Sequence, residues 1–253
     1  MLIDSHCHLY LKDFEHDLHE VINRAEAAGV GRFYFPSIDR ENAADLFRVA
    51  DQFPDLCIPM LGLHPCSVNA DFHQEILFIE EMLQKRKFAA IGEIGLDYYW
   101  DKQFVDLQKQ MFIKQIELAN RYALPIVIHT REAMNDTLDV VKQHVPEKRG
   151  IFHCFGGTIR DATTIIDLGF LLGIGGVLTY KKSGLAEVIT EIPLQHIVLE
   201  TDAPYLSPVP YRGKRNESSY LRIIANEIAR IKKVSVEEVE KITTQNALDV
   251  FAL

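Results

Sequence analysis

The sequence predicts an α/β fold, a single (β/α)8 barrel with a metal site at the C-terminal face of its strands. Short strand-like runs alternate with helix-like stretches from one end of the chain to the other, in about eight units. Several of the runs, such as Ile126-Val127-Ile128 and Ile197-Val198-Leu199, are unbroken apolar segments, the pattern of parallel strands buried on both faces. The length, 253 residues, suits a barrel that forms one domain over 1–253.

Strands are expected at Leu2–His8, Arg32–Pro36, Cys57–His64, Phe88–Leu96, Ile126–His129, Gly150–Cys154, Phe170–Gly173 and His196–Thr201. Asp101 is placed to cap a helix whose apolar positions are Phe104, Leu107, Met111 and Ile116. Ser235 and Glu238 have the spacing of a capping box before the last helix, with Val236, Val239, Ile242 and Val250 on its apolar side. A doubly wound open sheet is the competing arrangement. It normally carries a glycine-rich fingerprint after its first strand, and none is present.

Composition narrows the function classes. Hydrophobic residues make up 47% and charged residues 25%, ordinary globular values. A formal charge of −9 argues against sequence-independent coating of nucleic acid, which needs a broad basic face, but not against a nucleic-acid substrate held locally. Cys7, Cys57, Cys66 and Cys154 form no CxxC pair and read as reduced thiols of a cytoplasmic protein. No signal peptide precedes the first strand, and no apolar run has the length of a membrane span. Nothing points to an obligate protein partner. The glycosylation-type triplets Asn135-Asp136-Thr137 and Asn216-Glu217-Ser218 read as chance matches.

Chemistry concentrates at the predicted strand ends, where barrels carry their catalytic groups. His6 and His8 close the first strand, and alternation turns both imidazoles to one side. Glu93 lies on the fourth strand, His129 on the fifth, His153 on the sixth, and Asp202 just past the eighth. Taken singly, a histidine at a strand end is more often a hydrogen-bonded core or rim residue than a ligand, Glu93 reads as a buried ion-pair partner, and Asp202 as a helix or turn cap. Five strands presenting a ligand-type residue at one face is the observation that favours a metal centre. Neutral imidazoles mixed with carboxylates suit zinc, manganese or nickel, with magnesium also open, rather than calcium or copper(I). Six donors exceed one tetrahedral ion that keeps a water, and fit two divalent ions bridged by a carboxylate.

The segments Ile3-Asp4-Ser5-His6-Cys7-His8, Gly62-Leu63-His64-Pro65, Ile91-Gly92-Glu93-Ile94-Gly95-Leu96-Asp97, His129-Thr130-Arg131, His153-Cys154-Phe155-Gly156-Gly157 and the run from Glu200 to Leu206 continue the pattern. With Tyr211-Arg212-Gly213-Lys214-Arg215-Asn216-Glu217, they make the chain resemble the TatD-related metal-dependent hydrolases, a branch of the amidohydrolase-like barrels, over its full length. The resemblance implies that His6, His8 and Asp202 hold one metal and His129 and His153 the other, with Glu93 bridging. It implies a divalent-metal DNase, since such proteins act as deoxyribonucleases, some linked to exonuclease action or to deacylation of mischarged tRNA. Tyr211 and Ser218 depart from the histidine and proline that members often carry there.

Around this centre, Arg212, Lys214 and Arg215 form a basic loop after the last strand, where barrels often bind phosphate. A solvated surface loop is the plainer reading. Arg131 and His64 face the same mouth and are expected to contact substrate, His64 rather as a substrate contact than as a ligand. Tyr98, Tyr99 and Trp100 offer base stacking or simple rim packing. Cys7 and Cys154 are expected to point away from the ligands and pack. The expected chemistry is hydrolysis of DNA phosphodiesters, with Asp202 orienting a metal-activated water and acting as general base. Two alternatives are carried along: an ester or amide hydrolase, such as a deacylase of mischarged D-aminoacyl-tRNA, and a non-catalytic binding protein on the same barrel.

Overall fold

Eight strands run parallel in the computed structural model, which describes residues 1–100 and 102–251. They are β1 (Leu2–Asp4), β2 (Val30–Phe35), β3 (Cys57–Pro59), β4 (Ile91–Asp97), β5 (Ile126–Arg131), β6 (Ile151–Phe152), β7 (Leu171–Ile174) and β8 (Ile197–Leu199). Helices α1 (Leu18–Ala27), α2 (Arg40–Gln52), α3 (Phe72–Lys85), α4 (Val105–Tyr122), α5 (Met134–Gln143), α6 (Ile159–Asp167), α7 (Leu185–Glu191) and α8 (Leu221–Lys232) each follow the strand of the same number. A ninth helix, α9 (Val236–Val250), comes last. None of the described helices is long and apolar enough to cross a membrane.

Continuous ladders join β1 to β3 and β4 to β8, and two seams close the ring. At one, Leu61 bridges Ile91, with Gly92 N donating to Leu61 O at 3.0 Å. At the other, Ser5 N donates to Leu199 O at 3.0 Å and Asp202 N to His6 O at 2.9 Å. The result is the predicted (β/α)8 barrel, with no open sheet edge at either seam.

Five of the strands stop short of their expected ends, β2 by one residue and four by more. β1 ends at Asp4, β3 at Pro59, β6 at Phe152 and β8 at Leu199, so His6, His8, His64, His153 and Asp202 stand on the segments that follow. Left-handed backbone at Cys154 (φ 47°) and Asp202 (φ 57°) breaks the pleat at β6 and β8. The alternation expected of His6 and His8 survives without a formal strand, because Cys7 N donates outward to Tyr34 O and leaves its neighbours facing inward.

Apolar side chains fill two concentric layers. The outer one lies between strands and helices, where Met111 and Ile116 of α4 and Val239 of α9 are buried. The inner one is the lumen, filled by Ile3, Tyr34, Ile58, Val127, Ile151 and Val198. Helix α9 closes the N-terminal end of that lumen. Thr244 Oγ1 donates to Met1 O, Asn246 Nδ2 donates to Ile197 O, and Phe251 stacks on Tyr34 at 4.5 Å between centroids. At its start Ser235 Oγ accepts from Glu238 N at 3.1 Å, one half of the expected capping box. A reciprocal box is formed instead by Thr158 and Asp161 at α6. The expected cap Asp101 lies outside the described residues.

Candidate metal centre

At the open end of the barrel, the other five predicted ligands gather around the carboxylate of Glu93. Glu93 is 2% exposed and divides its two oxygens between two sets of imidazoles. Oε2 lies 3.1 Å from His6 Nε2 and 3.9 Å from His8 Nε2. Oε1 lies 2.7 Å from His129 Nδ1 and 2.8 Å from His153 Nε2. Asp202 joins the first set, with Oδ1 3.5 Å from His8 Nε2 and 3.7 Å from His6 Nε2.

The outer nitrogens meet groups that settle where protons sit. Tyr10 Oη gives its only proton to Pro36 O at 2.7 Å, so it accepts from His8 Nδ1 at 2.9 Å and leaves His8 Nε2 as a bare donor. Asp97 Oδ2 accepts from His129 Nε2 at 3.0 Å, which keeps His129 Nδ1 for the Glu93 side. Glu200 Oε1 is 3.4 Å from His153 Nδ1 and is itself held by Cys154 N at 2.5 Å. Two glycines make the room for this. A Cβ on Gly173 would meet Glu200 Oε2 at 2.2 Å, and one on Gly95 (φ 141°) would meet His129 O at 2.0 Å.

Asp97 and Glu200 carry no role in the sequence reading, although both stand in the quoted motifs. The signal for Asp97 was its spacing: residues i and i+4 of one strand share a face, and Asp97 follows Glu93 by that interval.

This donor set fits divalent cations. His6 is fully buried, and neither of its ring nitrogens has a hydrogen-bond partner. Its 3.1 Å approach to Glu93 lacks hydrogen-bond alignment, as befits two donors that share a cation rather than a proton. Burial and the neighbouring His153 push His6 down, toward the neutral form that ligates. Burial opposes the ionisation of Glu93, but the charges of His153 and His64 outweigh it and hold the carboxyl well below its usual range. Asp202 is likewise lowered against burial, by the imidazole of His8 beside it and the charge of His153. Burial lowers His153, yet Glu93 and Glu200 overcome it and drive the imidazole well above its ordinary value. Positive charge is what these carboxylates demand, and a divalent ion supplies it in place of protons.

The flanking residues divide into those that reach the mouth and those that do not. His64 turns Nδ1 to Cys66 N at 3.0 Å and Nε2 to Glu93 Oε1 at 3.4 Å, so it belongs to the donor cluster itself. It lines a cavity of about 590 Å³ over the cluster, together with Asp202, Arg131, Trp100, Tyr205 and Leu206. The Arg131 guanidinium lies 3.9 Å from the Tyr99 ring centroid and 5.3 Å from that of Trp100, which is 68% exposed. Tyr98 is turned aside, donating to Asp136 Oδ2 at 2.8 Å. Arg212 and Lys214 are exposed on the loop after β8. Arg215 is not available to substrate as expected. It forks onto Asp17, with Nη1 to Oδ1 at 2.8 Å and Nη2 to Oδ2 at 2.6 Å, and lies over the Phe14 ring. Cys7 packs as expected. Cys154 does not: its left-handed backbone leaves it partly exposed on a second cavity beside Arg131. Asn216 is wholly buried, bonded to Thr201 O and Tyr205 O, which removes it as a glycosylation acceptor.

Comparison with known proteins places this geometry. The family model for TatD related DNase matches residues 3–252. The metal-dependent hydrolase YabD of Bacillus subtilis is 39% identical, covering 100% of both chains. YcfH of Escherichia coli K12, also a metal-dependent hydrolase by name, is 33% identical over 99% of this chain and 95% of its own. The crystal structure of YjjV, a TatD homolog from Escherichia coli K12, superposes with a TM-score of 0.94 at 29% identity, covering 100% of this chain and 98% of that one. A TatD-family hydrolase from Entamoeba histolytica, 22% identical, shares the fold with a TM-score of 0.83 over 99% of this chain and 97% of its own.

Proposed function

The chain belongs to the TatD-related DNase family of metal-dependent hydrolases, and from that premise we propose a deoxyribonuclease that uses two divalent ions. One observation carries the reading: Glu93 presents one oxygen to His6 and His8 and the other to His129 and His153. In this reading His6, His8 and Asp202 would hold one ion and His129 and His153 the second, with Glu93 available to both. Zinc, manganese, magnesium and nickel are the candidate metals. The whole chain, 1–253, acts as one catalytic domain, and its four free cysteines suit a cytoplasmic setting.

Ions bound there supply Lewis acidity toward a phosphoryl oxygen and acidify a water toward neutrality. The protein's own groups do the rest. Asp202, ionised and open to the cavity, accepts the proton of the attacking water. Tyr10, Asp97 and Glu200 hold His8, His129 and His153 in orientation. Arg131, braced on Tyr99 and Trp100, neutralises a phosphate next to the scissile one. Trp100 and Tyr205 offer exposed ring faces at the mouth for an unstacked base. His64 contacts a phosphoryl oxygen from the Glu93 side.

Protein stripped with a chelator and reloaded with magnesium, manganese, zinc or nickel is expected to cleave single-stranded DNA, with two equivalents of metal retained. The double variant His6→Ala, His8→Ala is expected to lose both metal and cleavage. Reloaded protein that leaves DNA intact while hydrolysing mischarged tRNA or simple esters would move the substrate to a carbonyl. Biological activity that persists in the double variant would make the barrel a binding protein.

A further inference from the structure

Another cavity, of about 550 Å³, opens between the loop after β7 and the loop after β8. Lys181, Lys182 and Arg212 line it, together with Tyr180 and Val209. Among the described residues, none of these three cations forms an ion pair with a carboxylate. By contrast, Arg24, Arg86, Arg121, Arg215, Arg222 and Arg230 are each paired with an acid in this chain of net charge −9. No acidic side chain lines the cavity either, so its preferred ligand is an anion.

The frame around the cations is rigid. Tyr180 Oη donates to Ser207 O at 2.8 Å, and Val209 N donates to Thr179 Oγ1 at 2.8 Å, so each loop braces the other. The Arg212 guanidinium lies 4.5 Å from the Tyr180 ring centroid, which fixes its plane while leaving its N–H fork free. One short stretch of chain joins the walls of the metal-competent cavity and this one. Leu206 lines the first and Val209 the second, and residues 206–209 run directly between them. Gly176 lets β7's loop seat against that run, since a Cβ there would meet Leu206 O at 2.1 Å.

The structure assigns this groove to the phosphodiester backbone of a nucleic-acid strand whose scissile bond lies at the Glu93 cluster. The assignment rests on the nuclease reading above and extends it to phosphates away from the cut. Arginine supplies a bidentate fork and the lysines two mobile point charges, which suits a repeating phosphate and carries no base specificity. DNA and RNA backbones share that chemistry.

The test is steady-state cleavage by the metal-loaded full chain carrying Lys181→Gln, Lys182→Gln and Arg212→Gln, across a salt series. The substrates are single-stranded DNA, its RNA counterpart and the small diester bis(4-nitrophenyl) phosphate. For strands of either kind that the wild type cuts, KM is expected to rise about tenfold and the slope of log KM against log salt to fall by about 2, near 0.7 per lost phosphate contact. Turnover of the small diester stays at the wild-type value, which also shows that the variant is folded. Unchanged KM and salt slope on a strand that the wild type cuts would overturn the groove and leave the nuclease reading standing. A loss confined to DNA or to RNA, where both are cut, would overturn backbone recognition in favour of a sugar contact. A wild type that cuts no strand overturns both readings.

Discussion

His8, His129 and His153 each have a neighbour at the outer nitrogen, and Asp97 is the one that holds His129. It accepts from His129 Nε2 with one oxygen and from Tyr99 N and Trp100 N with the other. Burial resists its ionisation, but His129 and the two backbone amides outweigh burial and hold it far below the usual carboxylate range. Asp97→Asn keeps the shape and removes the charge. Metal affinity is expected to fall about 10–100-fold in that variant. Competition with a chromogenic chelator measures this, with circular dichroism of the metal-free protein unchanged. Undiminished affinity would reduce Asp97 to a turn-forming residue. At this scale the sequence was readable where a residue type had few other uses. Histidines at strand ends and a glutamate between glycines announced themselves. Arg215 did not separate from Arg212, because the partner that takes it away, Asp17, is 198 positions distant.

Elements were legible in kind and order, less so in length. The apolar runs identify each strand, but they continue past the last ladder bond into segments that turn inward, as at His153 and Asp202. Composition alone does not reveal where a ladder gives way to left-handed backbone. Helix α9 was visible as a helix, while its position was not, since an amphipathic face does not say which end of a barrel it covers. Its consequence is measurable. Phe251 is buried against Tyr34 beneath the lumen. Phe251→Ala is expected to lower stability by about 3 kcal/mol in urea denaturation of the metal-free protein. Loss of less than about 1 kcal/mol would mean that the ring frays from the barrel at little cost.

Across the whole molecule, charge is sorted by position. Acidic groups dominate the total, while Arg131, Arg212, Lys181 and Lys182 line the cavities of the proposed phosphate path. Between them stands a clamp: Arg24 forks onto Glu217, and Arg215 onto Asp17, joining α1 to the loop after β8. The Arg215 hydrogen bond lowers Asp17. Burial would raise Glu217, but Arg24 and Ser219 outweigh it and lower it too. A carboxylate whose folded value lies below its unfolded value stabilises the fold above about pH 4. That contribution is lost as pH falls through the folded value. The melting temperature of the metal-free protein should therefore decline below about pH 4. Glu217→Gln should cost about 1 kcal/mol at neutral pH, given the half-exposed Arg24, and give a shallower acid decline. Calorimetry across pH checks both, and an acid limb identical to wild type would discard the clamp as a contributor.

The seam between β1 and β8 has a temporal consequence. Thr201 Oγ1 donates to Asp4 Oδ2 at 2.6 Å across 197 positions of chain, and the flanking residues His6 and Asp202 face the same ion site. Contacts of that span form late, after the loop they close has been ordered. A chain still being synthesised, or one clipped before β8, holds only scattered donors. Hydrolytic capacity thus arrives with the last strand, and an unfinished molecule is chemically silent.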